Sequence, residues 1–90
     1  MVTLSNLYQV LNELLDAACN DDQLKVMVLC NTYSAIAPFC YKGLDDTLKG
    51  DYDNCFNSCV TSVARDGMFG SMRDVFLVDA KERFSKIPKP

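Results

Sequence analysis

The sequence predicts an all-α fold, a compact bundle of four to five short helices. Apolar residues recur at spacings of three and four along several segments, which is the pattern of one helix face. Short stretches rich in Gly, Pro, Asn and Asp separate these segments. Ninety residues are enough for one hydrophobic core and too few for two. We therefore expect a single helical domain over residues 1–90.

The first segment, residues 4–19, has the most regular apolar pattern in the chain. Its spacing of three and four residues is maintained at every step, as expected for an amphipathic helix. The hydroxyl of Thr3 or Ser5 can accept a hydrogen bond from a free backbone N–H at the start. Asn20 marks the end of this helix.

The second segment is apolar on most sides, and we predict a helix over residues 22–37. Its length favours a helix because strands average five or six residues. A helix that is apolar all round is usually buried, so we expect this one to be the central helix. Pro38 is expected to end it, since proline lacks a backbone N–H donor. Residues 38–50 are predicted to be a connection containing at most one helical turn.

The third predicted helix covers residues 52–66. Its apolar side chains lie in one stripe, and the opposite face is polar throughout. Asp51 or Asp53 is expected to cap the start. Gly67 stands where a left-handed residue commonly follows a helix.

The fourth predicted helix covers residues 72–87. Ser71 and Asp74 have the spacing of a capping box, in which each side chain accepts a hydrogen bond from a backbone N–H. Pro88 is expected to stop the helix because it cannot continue the hydrogen-bond pattern.

The charge balance disfavours general nucleic-acid binding. Nine basic and twelve acidic residues give a formal charge of −3, which repels a phosphate backbone at long range. The last helix nevertheless carries a candidate basic face, formed by Arg73, Lys81, Arg83 and Lys86. A nucleic-acid-binding protein that uses this helix is the first alternative interpretation.

Groups that commonly perform catalysis are missing from the sequence. The chain has no histidine, which removes the commonest general base and metal ligand. It also has no glycine-rich phosphate-binding motif. We expect a protein that is not an enzyme and that uses no cofactor and no metal.

Cys55 and Cys59 form the single C-x-x-x-C pair, which allows metal binding, redox chemistry or core packing. Both lie on the apolar stripe of the third helix, and free cysteine behaves as a small buried hydrophobe. We therefore favour core packing and retain a thiol redox or metal-binding protein as the second alternative. The string CFNSCV resembles half of the twin C-x-x-x-C motif of small mitochondrial intermembrane-space chaperones. The second pair of that motif is absent, so no property of the family is transferred.

Apolar surface exceeds what one small core readily hides, which predicts protein–protein contact. The candidate interface residues are aromatic or aliphatic and lie on three segments. They are Tyr33, Phe39, Tyr41, Met68, Phe69, Leu77 and Val78. We expect a small acidic adaptor, inhibitor or assembly subunit, of the kind that compact viral and phage genomes encode. It would bind a protein partner and self-associate as a dimer.

The N-terminal region does not have the pattern of a signal peptide, because polar residues interrupt its apolar positions. The longest apolar run, residues 26–30, is far shorter than the roughly 20 residues that span a bilayer. We expect a soluble protein with no membrane association, located inside the cell in the cytoplasm. An odd number of cysteines, five, favours reduced thiols in that location.

Overall fold

A computed structural model describes residues 2–63 and 72–90 of the chain. The described residues form four α-helices and no strand, which confirms the all-α prediction. The helices are α1 (Leu4–Cys19), α2 (Gln23–Tyr41), α3 (Asp46–Ser62) and α4 (Arg73–Lys86).

Helix α1 has the predicted bounds, and its leucine stripe lies in the core of the bundle. Thr3 caps it in a capping box, accepting from the backbone N–H of Asn6 while the Asn6 side chain accepts from the backbone N–H of Thr3. Leu7, Leu11 and Leu14 have no exposed surface. The other three helices all contact α1, and α3 likewise contacts all three others, whereas α2 contacts only α1 and α3 among the described helices. The prediction that the second helix is the central, most buried one is therefore wrong.

The end of α1 is closed by a tight backbone turn. Asp21 adopts a left-handed φ of 54°, and the N–H groups of Asp21 and Asp22 bond the carbonyls of Ala18 and Ala17. This is the arrangement of a Schellman motif, which satisfies carbonyls left free at a helix end. Asp22 then caps α2 by accepting from the N–H of Lys25 at 3.1 Å.

Helix α2 continues through Pro38 to Tyr41, four residues beyond the predicted end. Pro38 cannot donate to the carbonyl of Ser34, but both residues are exposed, so water can bond that carbonyl. Side-chain contacts hold the last turn in place. The Tyr41 hydroxyl bonds Tyr33 and Asp53, at 2.7 and 2.6 Å.

Helix α3 starts at Asp46, six residues before the predicted start, so residues 38–50 are not simply a connection. The cap is Asp45 and not Asp51 or Asp53. Its carboxylate accepts from the N–H groups of Thr47 and Leu48, at 3.1 and 3.3 Å. Gly50 suggested a loop, but it lies inside the first turns of the helix.

Helix α4 differs from its prediction by one residue at each end. Met72 precedes it and makes no side-chain capping bond. Ser71, half of the predicted capping box, and Gly67, the predicted helix terminator, lie outside the described residues. At the other end, buried Ile87 donates its N–H to the carbonyl of Phe84.

Contacts between helix ends show an up-down-up-down bundle. The Cys40 thiol at the end of α2 donates to the Thr3 carbonyl before α1, at 3.4 Å. Tyr8 and Phe84 pack with ring centroids 4.9 Å apart, joining the start of α1 to the end of α4. The strongest packing is within the pairs α1–α2 and α3–α4, and α2 packs lightly on α3. One side of α2 therefore remains without a neighbouring helix among the described residues.

We predict that Gly50→Ala stabilises the protein. Gly50 is in a helix with an ordinary φ, and nothing lies within 4 Å of an added Cβ. Alanine would lose less conformational entropy on folding, so the free energy of unfolding should rise by about 0.5–1 kcal/mol. Urea denaturation followed by circular dichroism measures the change.

Gly43→Ala is the matched control for this prediction. It also has open space, but its φ is +79°, a region that disfavours alanine. This variant should destabilise the protein by about 1 kcal/mol. Equal effects of the two substitutions would contradict the explanation.

Candidate functional site

The outer face of α2 carries a stripe of exposed apolar side chains. Leu24, Met27, Val28 and Phe39 are 70%, 61%, 56% and 73% exposed. With 100° of rotation per residue, these four and the exposed Ala35 fall within about 120° of the helix circumference. We call these five residues the outer stripe. No charged residue lies among them, and Lys25 is the one charged residue of residues 23–41.

The opposite face of α2 contributes to the core. Val26, Tyr33 and Ala37 are buried there. The Tyr33 ring stacks on Phe56 of α3, with centroids 4.4 Å apart and planes 12° apart. The helix is therefore apolar on two sides, but the described part of the bundle covers one of them.

A groove of about 420 Å³ runs between α2 and the end of α3, beside the outer stripe. It is largely apolar and has two amide side chains in its lining. The lining residues are Gln23, Val26, Met27, Cys30, Asn31, Val60 and Val63. Met27 belongs to both the groove and the outer stripe, so the two form one continuous apolar surface.

The structure separates the predicted interface residues into three groups. Phe39 and Val78 are exposed, as a contact surface requires. Tyr33 and Leu77 are buried in the core at 2% and 7% exposure, so neither is available to a partner. Tyr41 is half-buried and bonded to Tyr33 and Asp53. Met68 and Phe69 lie outside the described residues.

Four of the five members of the outer stripe were not among the predicted interface residues: Leu24, Met27, Val28 and Ala35. The signal was present in the sequence as a helix with apolar residues on most sides. An apolar pattern on most sides predicts complete burial of the helix. The pattern does not indicate how many neighbouring helices are available to cover it.

Cys55 and Cys59 have no exposed surface and pack within the core, as the apolar stripe of α3 predicted. The Cys55 thiol donates to the Ala80 carbonyl of α4 at 3.5 Å. The Cys59 thiol donates toward Cys55, which lowers the pKa of Cys55 and raises that of Cys59. Burial and the neighbouring thiols of Cys19 and Cys30 raise the pKa of Cys59 further. The pair is a hydrogen-bonded link between α3 and α4.

All five cysteines are free thiols. Among residues 2–63 and 72–90, no three Cys, Asp or Glu side chains are grouped so that they could hold a metal ion. The cysteine positions therefore offer no geometric support for the metal-binding alternative within that part of the chain.

The predicted basic residues are not all free. The Arg73 guanidinium donates to the carbonyls of Ala18 and Cys19, at 2.9 and 3.2 Å, and so covers the end of α1. Arg83 donates to Asp79 at 2.8 Å. Ser58 also donates to Asp79, and together with Arg83 it lowers the pKa of that carboxyl.

Lys81 and Lys86 remain exposed on α4. They are five residues apart and point about 140° apart around the helix axis. Since Arg73 and Arg83 are engaged within the chain, the four residues do not form one basic face.

Three tyrosines between α2 and α3 have raised pKa values. Burial is the largest cause in each case, and it raises the pKa of Tyr52 to about 12. The hydrogen bond with Tyr41 raises the pKa of Tyr33 further, and the bond to Asp53 does so for Tyr41. The buried hydroxyl of Tyr52 has no hydrogen-bond partner among residues 2–63 and 72–90.

We predict that Cys55 and Cys59 resist alkylation in the folded protein. Neither sulfur is exposed, so a reagent must wait for the helices to separate. Iodoacetamide should modify both at least about 100-fold more slowly than in urea-unfolded protein. Cys19, Cys30 and Cys40 are partly exposed and serve as internal controls in peptide mass mapping. Labelling of Cys55 or Cys59 as fast as in urea would restore the redox interpretation.

We predict that alkaline pH destabilises the protein through its buried phenols. The folded pKa values of Tyr33, Tyr41 and Tyr52 lie above the unfolded value of about 10. The contribution of these neutral phenols to the free energy of unfolding is fully present below pH 10 and is lost as pH rises toward 12 and above. The free energy of unfolding from urea titrations should therefore fall steadily from pH 10.

Tyr52→Phe tests the same interpretation. It removes a buried hydroxyl that has no partner in the described part of the chain, so stability at pH 7 should stay unchanged or rise by up to about 1 kcal/mol. The decrease in the free energy of unfolding above pH 10 should also be smaller in this variant than in the native chain. Tyr33→Phe is the control, because it breaks the bond to Tyr41 and should cost about 1 kcal/mol at pH 7. A larger loss in Tyr52→Phe than in Tyr33→Phe would contradict this account.

None of the described helices is long and apolar enough to span a membrane. No family model, curated protein or solved structure matched the chain.

Proposed function

We propose that this protein is a small interaction module that acts by binding proteins through the outer stripe of α2, and that it self-associates through that surface. The supporting observation is the exposure of four large apolar side chains, each more than half accessible, on one charge-free helix face. Covering apolar surface is favourable by roughly 25 cal/mol per Å². An adaptor, inhibitor or assembly subunit would use such a surface for binding and not for catalysis.

The composition of the outer stripe also supports this proposal. The centres of protein interfaces are depleted in charged residues and enriched in aromatic residues and methionine. The stripe has no charge, and its most exposed member is Phe39, followed at the other end by Leu24 and Met27. The adjoining groove supplies a concave surface next to this convex one.

A second exposed apolar patch on α4 is a weaker candidate. It consists of Met72, Val75 and Val78, which are 42%, 59% and 61% exposed. Glu82 follows Val78 by one helical turn and lies between the directions of Val75 and Val78. A carboxylate at that position must be paired or desolvated when the patch is covered, which opposes burial.

We predict concentration-dependent self-association of the native chain. Size-exclusion chromatography with light scattering should give a mass that rises above the monomer value of 10.1 kDa between about 1 and 200 µM. Phe39→Ser should weaken association at least about tenfold, because each copy loses its most exposed aromatic anchor.

Val78→Ser on α4 is the matched control, since Val78 has similar exposure on a different face. Its association should equal that of the native chain. A native chain that remains monomeric at all concentrations would overturn the proposed self-association. Equal weakening by the two variants would assign it to another surface. Tight, salt-sensitive binding to DNA or RNA would instead favour the nucleic-acid alternative.

A further inference from the structure

Four of the five residues in the outer stripe of α2 are placed symmetrically about its midpoint, and the exception is Met27, whose counterpart Ile36 is half-buried and lies outside the stripe. That midpoint lies between Asn31 and Thr32, which are both exposed. Leu24 and Phe39 lie equally far from it on either side, and so do Val28 and Ala35. Such a pattern matches itself when the helix is turned end for end.

We propose that the second copy binds with its α2 antiparallel to the first, across a two-fold axis at this midpoint. This inference rests on the proposed self-association and assigns its geometry. A two-fold interface uses the same patch on both subunits, so residues at equal distances from the axis meet. Leu24 then packs against Phe39 of the partner subunit, and Val28 packs against Ala35 of the partner subunit.

The size of the paired residues suits close packing. A large side chain, Val28, meets the small Ala35, which lets the two helix backbones approach. Asn31 lies beside the axis, where its amide can hydrogen-bond across the interface. A polar residue at such a position fixes register, because any shift leaves it buried without a partner.

The charges at the two ends of α2 favour the antiparallel arrangement. Asp21, which Arg73 contacts at 3.8 Å, and Asp22 precede the helix, and Lys42 follows it. Antiparallel pairing places Lys42 of one copy near the acidic start of α2 in the partner. Parallel pairing would bring like charges together at both ends and would align the helix dipoles unfavourably.

The area of the stripe predicts a weak dimer. From Leu24 to Phe39 the helix rises about 22 Å. A strip of this length and one helix wide covers on the order of 500 Å² per copy, compared with about 800 Å² per partner in a standard interface. A dimer held by this contact should therefore dissociate in the micromolar range.

Charge-reversed mixtures test the orientation of the two helices. Leu24→Asp and Phe39→Lys replace exposed side chains, so circular dichroism should show folded proteins. Each variant alone should associate at least about tenfold more weakly than the native chain. In an equal mixture, an antiparallel dimer can form from one copy of each variant. At one end of this mixed dimer the native Leu24 and Phe39 meet, and at the other end the introduced Asp and Lys attract each other. The mixture should thus associate at least about fivefold more tightly than either variant alone.

A mixture of Leu24→Asp with Leu24→Lys is the matched control. These charges meet in a parallel dimer and do not meet in an antiparallel one. Sedimentation equilibrium gives the dissociation constants, and native mass spectrometry identifies the mixed dimer by its mass. Tighter association in the first mixture than in either variant alone, with no such gain in the second mixture, supports the antiparallel pairing.

Each other outcome overturns a defined part of the argument. Recovery only in the control mixture means a parallel dimer. Single variants that associate as tightly as the native chain mean that another surface forms the dimer, although self-association itself remains. A native chain that stays monomeric to about 200 µM removes both the orientation and the proposed self-association on which it rests.

Discussion

The fold depends on burial of the leucine stripe of α1. Leu7, Leu11 and Leu14 have no exposed surface, and covering them requires contact from the three other helices. Apolar burial is the main favourable term in folding, so this stripe brings the other three helices against α1. Each of those helices has one side against α1 and another side toward solvent or a neighbour. The exposure of the outer stripe on α2 follows from this arrangement.

A few hydrogen bonds between helices define the ends of the bundle. Arg73 covers the carbonyl end of α1, and Tyr41 links the last turn of α2 to Asp53 on α3. The Cys55 thiol joins α3 to the backbone of α4. Each of these groups satisfies a donor or acceptor that would be costly to leave unpaired near the core. Side chains that resembled functional groups in the sequence, a thiol pair and a basic cluster, are thus used largely for structure.

With Cys55 and Cys59 buried and two of the arginines engaged, the proposed function depends on the exposed outer stripe of α2. A chain of this length buries about two-thirds of the surface of its unfolded state, so its stability benefits from any contact that covers more. Self-association would therefore be coupled to folding stability by mass action. The proposed dimer would use the symmetric placement of Leu24 and Phe39 on α2 to bind a second copy through the same surface.

The sequence by itself determined the all-α class, the bounds of α1, a hydroxyl cap at Thr3 or Ser5, and the core position of Cys55 and Cys59. These features depend on periodicity and on capping within a few residues. The tertiary structure alone decided that α2 passes through Pro38, because Tyr41 is held by residues on two helices. It also decided that α2 is not the central helix, since α2 contacts only α1 and α3 among the described helices. Periodicity shows that a helix face is apolar, but which neighbour covers that face depends on the packing of all four helices.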